Sequence, residues 1–197
     1  MTTYDPANMK EGVFKTFFGN PAGSPTPATM PLDSAPFGTP GAAWTPVGAT
    51  QGGVTPDGIN PPETPVYVDH QRSAFGRFPG DVETTFAFNI VETTPDKMYT
   101  VSSIGVLSEV AAGASTAGNS TFKLTSPRKP DVAVLFEGIG GNGKPWRVFV
   151  PRARTMISSM AAVVKGTAQT LGVMVTAIPA TDSEAVEFRQ VTPQTGP

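Results

Sequence analysis

The sequence predicts a mainly β fold, a β-sandwich or barrel with one flanking α-helix, a long inter-strand loop and extended N- and C-terminal arms. The 21 Pro and 21 Gly residues make up more than a fifth of the 197 positions. This share is nearly twice the average and favours turns and extended segments over helices. Several segments alternate apolar and polar side chains, as half-buried strands do, whereas only two short segments carry helical signals.

Residues 1–41 are predicted to form an extended N-terminal arm. Between Lys15 and Asp57 the only charged side chain is Asp33. A disordered tail is usually rich in charge, so this neutral composition favours an arm that packs on a neighbouring subunit, with a mobile N-terminus as the alternative. The start of the arm carries apolar residues at helical spacing before a glycine that would end a helix: Val13, Phe14, Phe17, Phe18 and Gly19.

Residues 42–181 are predicted to form the β-sandwich domain. Its opening hairpin turns at Gly52 and Gly53, since glycine can adopt the positive φ of a tight turn. The Pro-rich turn signals that follow predict a long loop over residues 55–80, which contains two short extended segments. Residues 182–197 are predicted to form a C-terminal arm, either as a last short strand or as a mobile terminus.

The clearest strand runs over residues 82–92. Its alternate side chains, which include Phe86, Phe88 and Ile90, are predicted to pack into the core. The last third of the domain is predicted to be mostly strand, over residues 121–126, 131–137, 146–157 and 168–178.

A Thr-Pro-Asp sequence at residues 94–96 predicts the start of the flanking helix, over residues 94–107. The threonine hydroxyl can cap the first turn, proline is tolerated there, and aspartate favours the positive end of the helix dipole. Residues 111–120, rich in Ala, Gly and Ser, are predicted to be a flexible loop.

The sequence offers little for catalysis or metal binding. It has no cysteine, and His70 is the only histidine. Asp69 adjoins His70, but neighbours on a strand point to opposite faces and do not form an acid–base pair. The stretch from Gly138 to Lys144 matches GxxxxGK, yet Pro145 and a strand follow where a phosphate loop needs Ser or Thr and a helix. We therefore expect no catalytic residue, no cofactor and no metal.

Charge is scarce in this chain. Charged residues make up 15% of the sequence, against about 25% in a typical domain, which favours a surface that partners cover. The net charge of −2 offers no surplus of Lys and Arg for gripping nucleic acid. No segment approaches the roughly 20 apolar residues of a membrane span, and the N-terminus lacks the apolar run of a signal peptide. We expect no membrane partner and synthesis in the cytoplasm.

Basic residues collect in the acid-free stretch from Gly138 to Thr181. On a strand over residues 146–157, Arg152 and Arg154 would share a face. Three interpretations stay open: a strip that binds nucleic acid, a seam between subunits, or a solvated face with intramolecular pairs. The acids that could pair across such a seam include Glu63, Asp69, Asp81 and Glu83.

Three stretches carry a family resemblance that covers most of residues 35–192. They are residues 44–48 with 53–58, residues 82–92 entering a helix, and residues 146–154. Their order and spacing resemble those of the major tail tube proteins of long-tailed (siphovirus) phages, especially phages of actinobacteria. The long, Pro-rich N-terminal arm departs from the family pattern.

The resemblance implies a structural virion protein of the phage tail. Six copies would form a ring, and rings would stack head to tail into a tube through which DNA is ejected into the host. The partners implied are further copies of the chain, a tape-measure protein in the lumen, tail terminator and tail-tip proteins, and passing double-stranded DNA that is not bound specifically. Residues expected at subunit interfaces are Phe14, Phe17, Phe37, Pro61, Pro62, Tyr67, Arg77, Arg152 and Arg154.

Two other functions remain open at this point. One is another virion part, such as a capsid decoration protein or a pilus-like subunit. The other is a carbohydrate-binding β-sandwich module, for which Trp44 and Trp146 would have to form an exposed aromatic platform.

Overall fold

Twelve strands and one helix occur in the part of the chain that the computed structural model describes, namely residues 10–58, 63–66, 76–79, 83–140, 145–161, 168–179 and 185–190. The strands are β1 (Lys10–Gly19), β2 (Trp44–Pro46), β3 (Thr50–Asp57), β4 (Glu63–Val66), β5 (Gly76–Pro79), β6 (Thr85–Ile90), β7 (Ile104–Val110), β8 (Asn119–Arg128), β9 (Val132–Gly140), β10 (Pro145–Met160), β11 (Leu171–Ala177) and β12 (Glu187–Gln190), and the helix is α1 (Pro95–Val101). The fold is therefore mainly β with one helix, as predicted.

The main sheet has eight antiparallel strands. Its order is β2-β1-β9-β10-β11-β6-β3, and β12 pairs with the first part of β10. Strand β10 is 16 residues long. It pairs with β9 over its first half and with β11 over its second half, and the register against β9 shifts between Val150 and Ala153. Since such a bulge bends a strand, β10 can belong to both halves of the sheet.

The sheet folds back on itself to make a sandwich. Strands β9 and β6 are three places apart in the sheet, which would separate them by about 14 Å if the sheet were flat. The Phe136 ring on β9 nevertheless lies 5.2 Å from the Phe86 ring and 5.8 Å from the Phe88 ring, both on β6. The predicted sandwich is thus confirmed, and its two halves enclose the main core.

The core contains the side chains that the alternation of residues 82–92 predicted. Phe86, Phe88 and Ile90 are all buried, whereas Ala87 and Asn89 between them are exposed. They pack with apolar side chains of β1, β9, β10, β11 and α1, including Phe18, Val134, Val148, Val173 and Val101.

Helix α1 begins as predicted but ends earlier. The Thr94 hydroxyl accepts a hydrogen bond from the amide of Lys97, with Pro95 in the first turn. The helix ends at Val101, so the prediction of a helix to residue 107 is wrong. The cause lies in the next residues, because the Ser102 hydroxyl binds the amide of Ile104 and Gly105 adopts φ +116°. Both features stop a helix and begin strand β7.

Residues 10–19 form strand β1 inside the main sheet, which corrects the predicted helix and the predicted arm boundary at residue 41. Strand β1 lies between β2 and β9. Its adjacent side chains Phe17 and Phe18 point to opposite faces, and both are buried. A strand that is buried on both faces reads as a continuous apolar run, which sequence periodicity does not distinguish from a short helix.

Residues 20–41 pack on the outer face of this same sheet rather than reaching away from it. The Ala22 amide donates to Pro151 O over 2.8 Å, and the Trp44 indole N–H donates to Thr29 O over 3.2 Å. A second apolar cluster, made of Phe17, Ala28, Trp44, Ala133, Leu135 and Phe149, fills the space between this segment and the sheet. Residues 20–41 therefore pack on their own chain, and a contact with a neighbouring subunit stays a prediction.

The region predicted as a loop over residues 55–80 contains regular structure. Strand β3 continues to Asp57, and β4 and β5 form a two-stranded antiparallel sheet. Strands β7 and β8 form another two-stranded sheet, joined by residues 111–118 with a bridge between Gly113 and Thr116. Strand β12 lies within the predicted C-terminal arm and pairs with β10, so that the alternative of a last short strand holds there.

Candidate self-association surfaces

The described residues provide no metal cluster and no phosphate loop. They contain no group of three or more His, Cys, Asp or Glu side chains placed to hold a metal ion. The glycine-rich stretch after Gly138 leads from β9 into β10, so no helix N-terminus follows it. Asp69 and His70 lie outside the described residues. The helix that is described is far too short to cross a membrane.

A buried ion pair holds the segment 32–38 against the sheet. Glu137 and Arg147 face each other across β9 and β10, and both side chains are fully buried. Arg147 Nε donates to Glu137 Oε1 over 2.7 Å, and the two Arg147 Nη groups donate to Leu32 O (3.0 Å) and Ala35 O (2.7 Å). The Gly38 amide donates to Glu137 Oε2 over 2.8 Å. Arg147 therefore binds groups in the interior of its own chain and is not one of the exposed basic residues.

The predicted interface residues of β1 and the following segment have partners within their own subunit. Phe17 is only 3% exposed, so its prediction as an interface residue is wrong. Phe14 is half-buried with its ring 5.4 Å from Trp146, edge to face. Phe37 is half-buried below the Lys15 ammonium group, which lies 4.9 Å from the ring centre.

The remaining predicted interface residues fall into two groups. Pro61, Pro62 and Tyr67 lie outside the described residues, and Arg77 lies in β5 without a described side chain. Arg152 and Arg154 are more than 40% exposed and share a face, as the strand spacing predicted, because both reach Asp131.

Arg152 and Arg154 line a basic cleft of about 530 Å³. Arg152 Nε lies 2.7 Å from Asp131 Oδ2, and Arg154 Nη2 lies 3.9 Å from Asp131 Oδ1. Two further basic residues line the same cleft from the segment before β9, and the loop after β1 closes one side: Arg128, Lys129 and residues 21–24. Four basic residues and one acidic residue thus line the cleft. Sequence reasoning missed the contributions of Arg128 and Lys129, because only the fold brings them beside β10.

Lys129 ties the basic cleft to helix α1. Its ammonium group donates to Tyr99 O and lies 3.8 Å from the centre of the Tyr99 ring. Burial lowers the pKa of the Lys129 side chain from its ordinary value. These contacts fix the lysine at the base of the cleft.

The β7–β8 hairpin presents exposed apolar side chains. Ile104, Val106, Val110 and Leu124 are each between 41% and 68% exposed. The hairpin touches the body through its other side chains, such as Phe122, whose ring lies 6.4 Å from that of Tyr99. Within the described residues, β7 and β8 pair only with each other, so the outer edge of each strand has free backbone groups.

An apolar groove of about 760 Å³ lies beside the part of β1 that precedes its pairing with β2. Its walls come from β1, residues 38–41 and residues 46–50, and include Phe14, Phe17, Trp44 and Pro46. The Thr50 hydroxyl bridges the groove end by donating to Phe14 O over 2.7 Å.

The two tryptophans do not form an aromatic platform. Trp44 is 7% exposed and packs edge to face on Phe149, with 5.8 Å between the rings. Trp146 is half-buried against Phe14. Comparison with known protein families and with curated proteins finds no match to this chain. The surfaces described above are therefore the basis for a proposed function.

Proposed function

We propose that this chain is a structural subunit of a phage tail tube. Six copies assemble into a ring, and the rings stack into the conduit through which DNA is ejected into the host. The observation that supports this best is the β7–β8 hairpin, which joins exposed apolar side chains to open strand edges.

Open strand edges favour association between copies. Natural β-proteins protect long exposed edges with charge, proline or bulges, because an open edge pairs readily with another chain. The hairpin has a register shift between Ile104 and Val106 and a proline at residue 127, but both lie at its base. Near its middle, Glu109 and Lys123 are the only charged residues, so that part of each edge has little such protection. A two-stranded hairpin is also marginally stable alone, so pairing with a neighbour would stabilise it.

The architecture suits a ring-forming subunit in two further respects. The sandwich encloses a buried apolar core, and two hairpins, β4–β5 and β7–β8, form separate two-stranded sheets. Only 15% of the residues are charged, so that association of the surface costs little desolvation of ionic groups. When two different surfaces of the chain bind each other, the copies either close into a ring or continue as a filament. The rotation that relates one copy to the next decides between the two.

The same proposal assigns the partners and the location. The ring binds further rings head to tail, a tape-measure protein occupies the lumen, and terminator and tail-tip proteins bind the two ends. Double-stranded DNA passes without specific binding, which agrees with the net charge of −2, and the protein resides in the virion tail.

Microscopy of two charge-insertion variants tests the proposal. Val106→Asp with Leu124→Asp places two carboxylates among the exposed apolar side chains of the hairpin and should abolish rings and tubes. Ala42→Asp with Ala43→Asp adds the same charge at exposed positions elsewhere and should leave assembly unchanged. Tubes from the hairpin variant, or closed trimers from the unaltered protein, would contradict the proposal.

A further inference from the structure

The basic cleft concentrates positive charge in a protein that is acidic as a whole. Arg128, Lys129, Arg152 and Arg154 line the cleft together with Asp131, which gives the cleft a formal charge of about +3. The net charge of the chain is −2. Such a local excess attracts anionic groups, and arginine forks suit the two oxygens of a carboxylate or the oxygens of a phosphate.

Two buried hydrogen-bond donors in the cleft lack partners. Ser24 Oγ and Arg154 Nε are buried atoms without a hydrogen-bond partner in the described part of the chain. Both residues line the basic cleft. Buried polar atoms are nearly always satisfied, and leaving one unpaired destabilises the folded state. Both atoms are shielded from solvent, so an oxyanion in the cleft would first meet the Arg152 and Arg154 side chains, which are 43% and 42% exposed.

We propose that the basic cleft is an oxyanion-binding site and that, in the assembled protein, it receives carboxylate side chains from a second copy of this chain. The proposal rests on the self-association argued above and names one contact within it. The carboxylates that we assign to the cleft are those of Asp57 and Glu83.

Asp57 and Glu83 form an acidic pair at the outer edge of the sheet. Both are exposed, and neither has an ion pair within the described residues. Asp57 lies opposite Thr85, and Glu83 precedes Thr85 by two residues, so both carboxylates lie at the same end of the β3–β6 pair. The Thr84 hydroxyl donates to Gly58 O over 3.2 Å and keeps the two strand ends together.

The cleft and the acidic pair lie on one face of the sheet but too far apart to meet within one subunit. Arg154 pairs with Thr176, Thr176 with Thr85, and Thr85 with Asp57, which places these residues in one row across four strands. Paired residues project to the same face, and three strand spacings separate the ends by about 14 Å. A second copy shifted across the sheet can instead place its acidic edge at the cleft.

This arrangement is heterologous, because the acidic edge of each copy meets the cleft of the next. Each subunit then donates once and accepts once, as a closed ring requires. Strand β3 pairs only with β6 among the described residues, so its free backbone can approach the neighbour together with Asp57. A nucleic-acid strand is the competing occupant of such a cleft, and the experiments below separate the two.

Charge reversal with compensation tests the contact. Arg152→Glu with Arg154→Glu, and separately Asp57→Lys with Glu83→Lys, should each raise the protein concentration needed for assembly at least tenfold. Since the contact joins unlike surfaces, the chain that carries all four changes should assemble at close to the original concentration. Ala42→Glu with Ala43→Glu, and separately Ala42→Lys with Ala43→Lys, change the charge at exposed positions outside both surfaces and serve as the controls for charge alone. Unchanged assembly of either pair, or failure of the combined chain to recover while it remains folded, would overturn the proposal.

A measurement on unassembled protein separates this contact from the tube function. Inorganic sulfate titrated into dilute protein should shift the backbone NMR signals of Ser24 and Arg154 in the unaltered chain, and the shifts should fall at least fivefold in Arg154→Gln. Sulfate shifts without any assembly would support the anion site but contradict the tube proposal. Assembly without sulfate shifts would overturn the assignment of carboxylates to the cleft. Tighter binding of double-stranded DNA than of an acidic peptide that competes with sulfate would overturn it as well.

Discussion

Removing Arg147 tests how the sheet holds the segment that follows β1. Arg147→Met keeps most of the side-chain volume but leaves the Glu137 carboxylate, which is 0% exposed, without its charged partner. The same change removes the donors of two hydrogen bonds, to Leu32 O and Ala35 O.

The expected loss follows from the burial of the pair. Breaking a buried ion pair on one side costs about 3–5 kcal/mol, because the remaining charge is uncompensated. For a chain of this size, 1 kcal/mol corresponds to roughly 2–4 °C in Tm, so Arg147→Met should lower Tm by about 6–20 °C. The double change Arg147→Met with Glu137→Leu should recover most of this loss, since replacing both charges with apolar groups is often nearly neutral.

Urea denaturation followed by circular dichroism, on protein dilute enough to stay unassembled, measures both free energies. Hydrogen exchange at the Gly38 amide provides a local measurement, because that amide donates to Glu137 Oε2. It should exchange faster in the double variant because its acceptor is gone, and faster in Arg147→Met because the segment loses the hydrogen bonds at Leu32 O and Ala35 O. Amides of β6 and β11 should remain protected in the double variant. A loss below about 1 kcal/mol in Arg147→Met, or unchanged exchange at Gly38, would refute the reasoning.

Two further predictions concern the folded subunit. Phe86→Ala should cost about 3–5 kcal/mol in urea denaturation, since Phe86 is 2% exposed between the two halves of the sandwich; a cost below 1 kcal/mol would mean that the core is misassigned. Deleting residues 1–41 should abolish cooperative unfolding, because it removes β1 from between β2 and β9; a truncated protein that still unfolds in one sharp transition would contradict the placement of β1.

The sequence sufficed where a single face of an element is buried. Phe86, Phe88 and Ile90 alternate with exposed residues, so periodicity alone revealed both the strand and its core face. The start of α1 was equally predictable from the sequence, because the Thr94 cap and Pro95 act within the first turn of the helix.

Long-range contacts account for most of the errors. Both faces of strand β1 are buried, which removes the alternation, so its apolar spacing predicts a helix instead. The composition of the segment 20–41 shows that it packs but not on what. Glu137 and Arg147 hold this segment in place because the register of β9 and β10 sets these two residues, ten positions apart in sequence, opposite each other.

The candidate site was predictable only in part. The strand spacing placed Arg152 and Arg154 on one face, and Asp131 confirms that placement. Ser24 and Lys129 come from other elements, and nothing in their local sequence indicates a shared cleft. The interface role of the two arginines stays a prediction.

Electron microscopy of the purified protein at high concentration tests the central claim most directly. We predict hollow tubes of uniform diameter, built from stacked rings with six-fold symmetry in end views. A protein that stays a monodisperse single particle at every concentration tested, with neither rings nor tubes, would contradict the account.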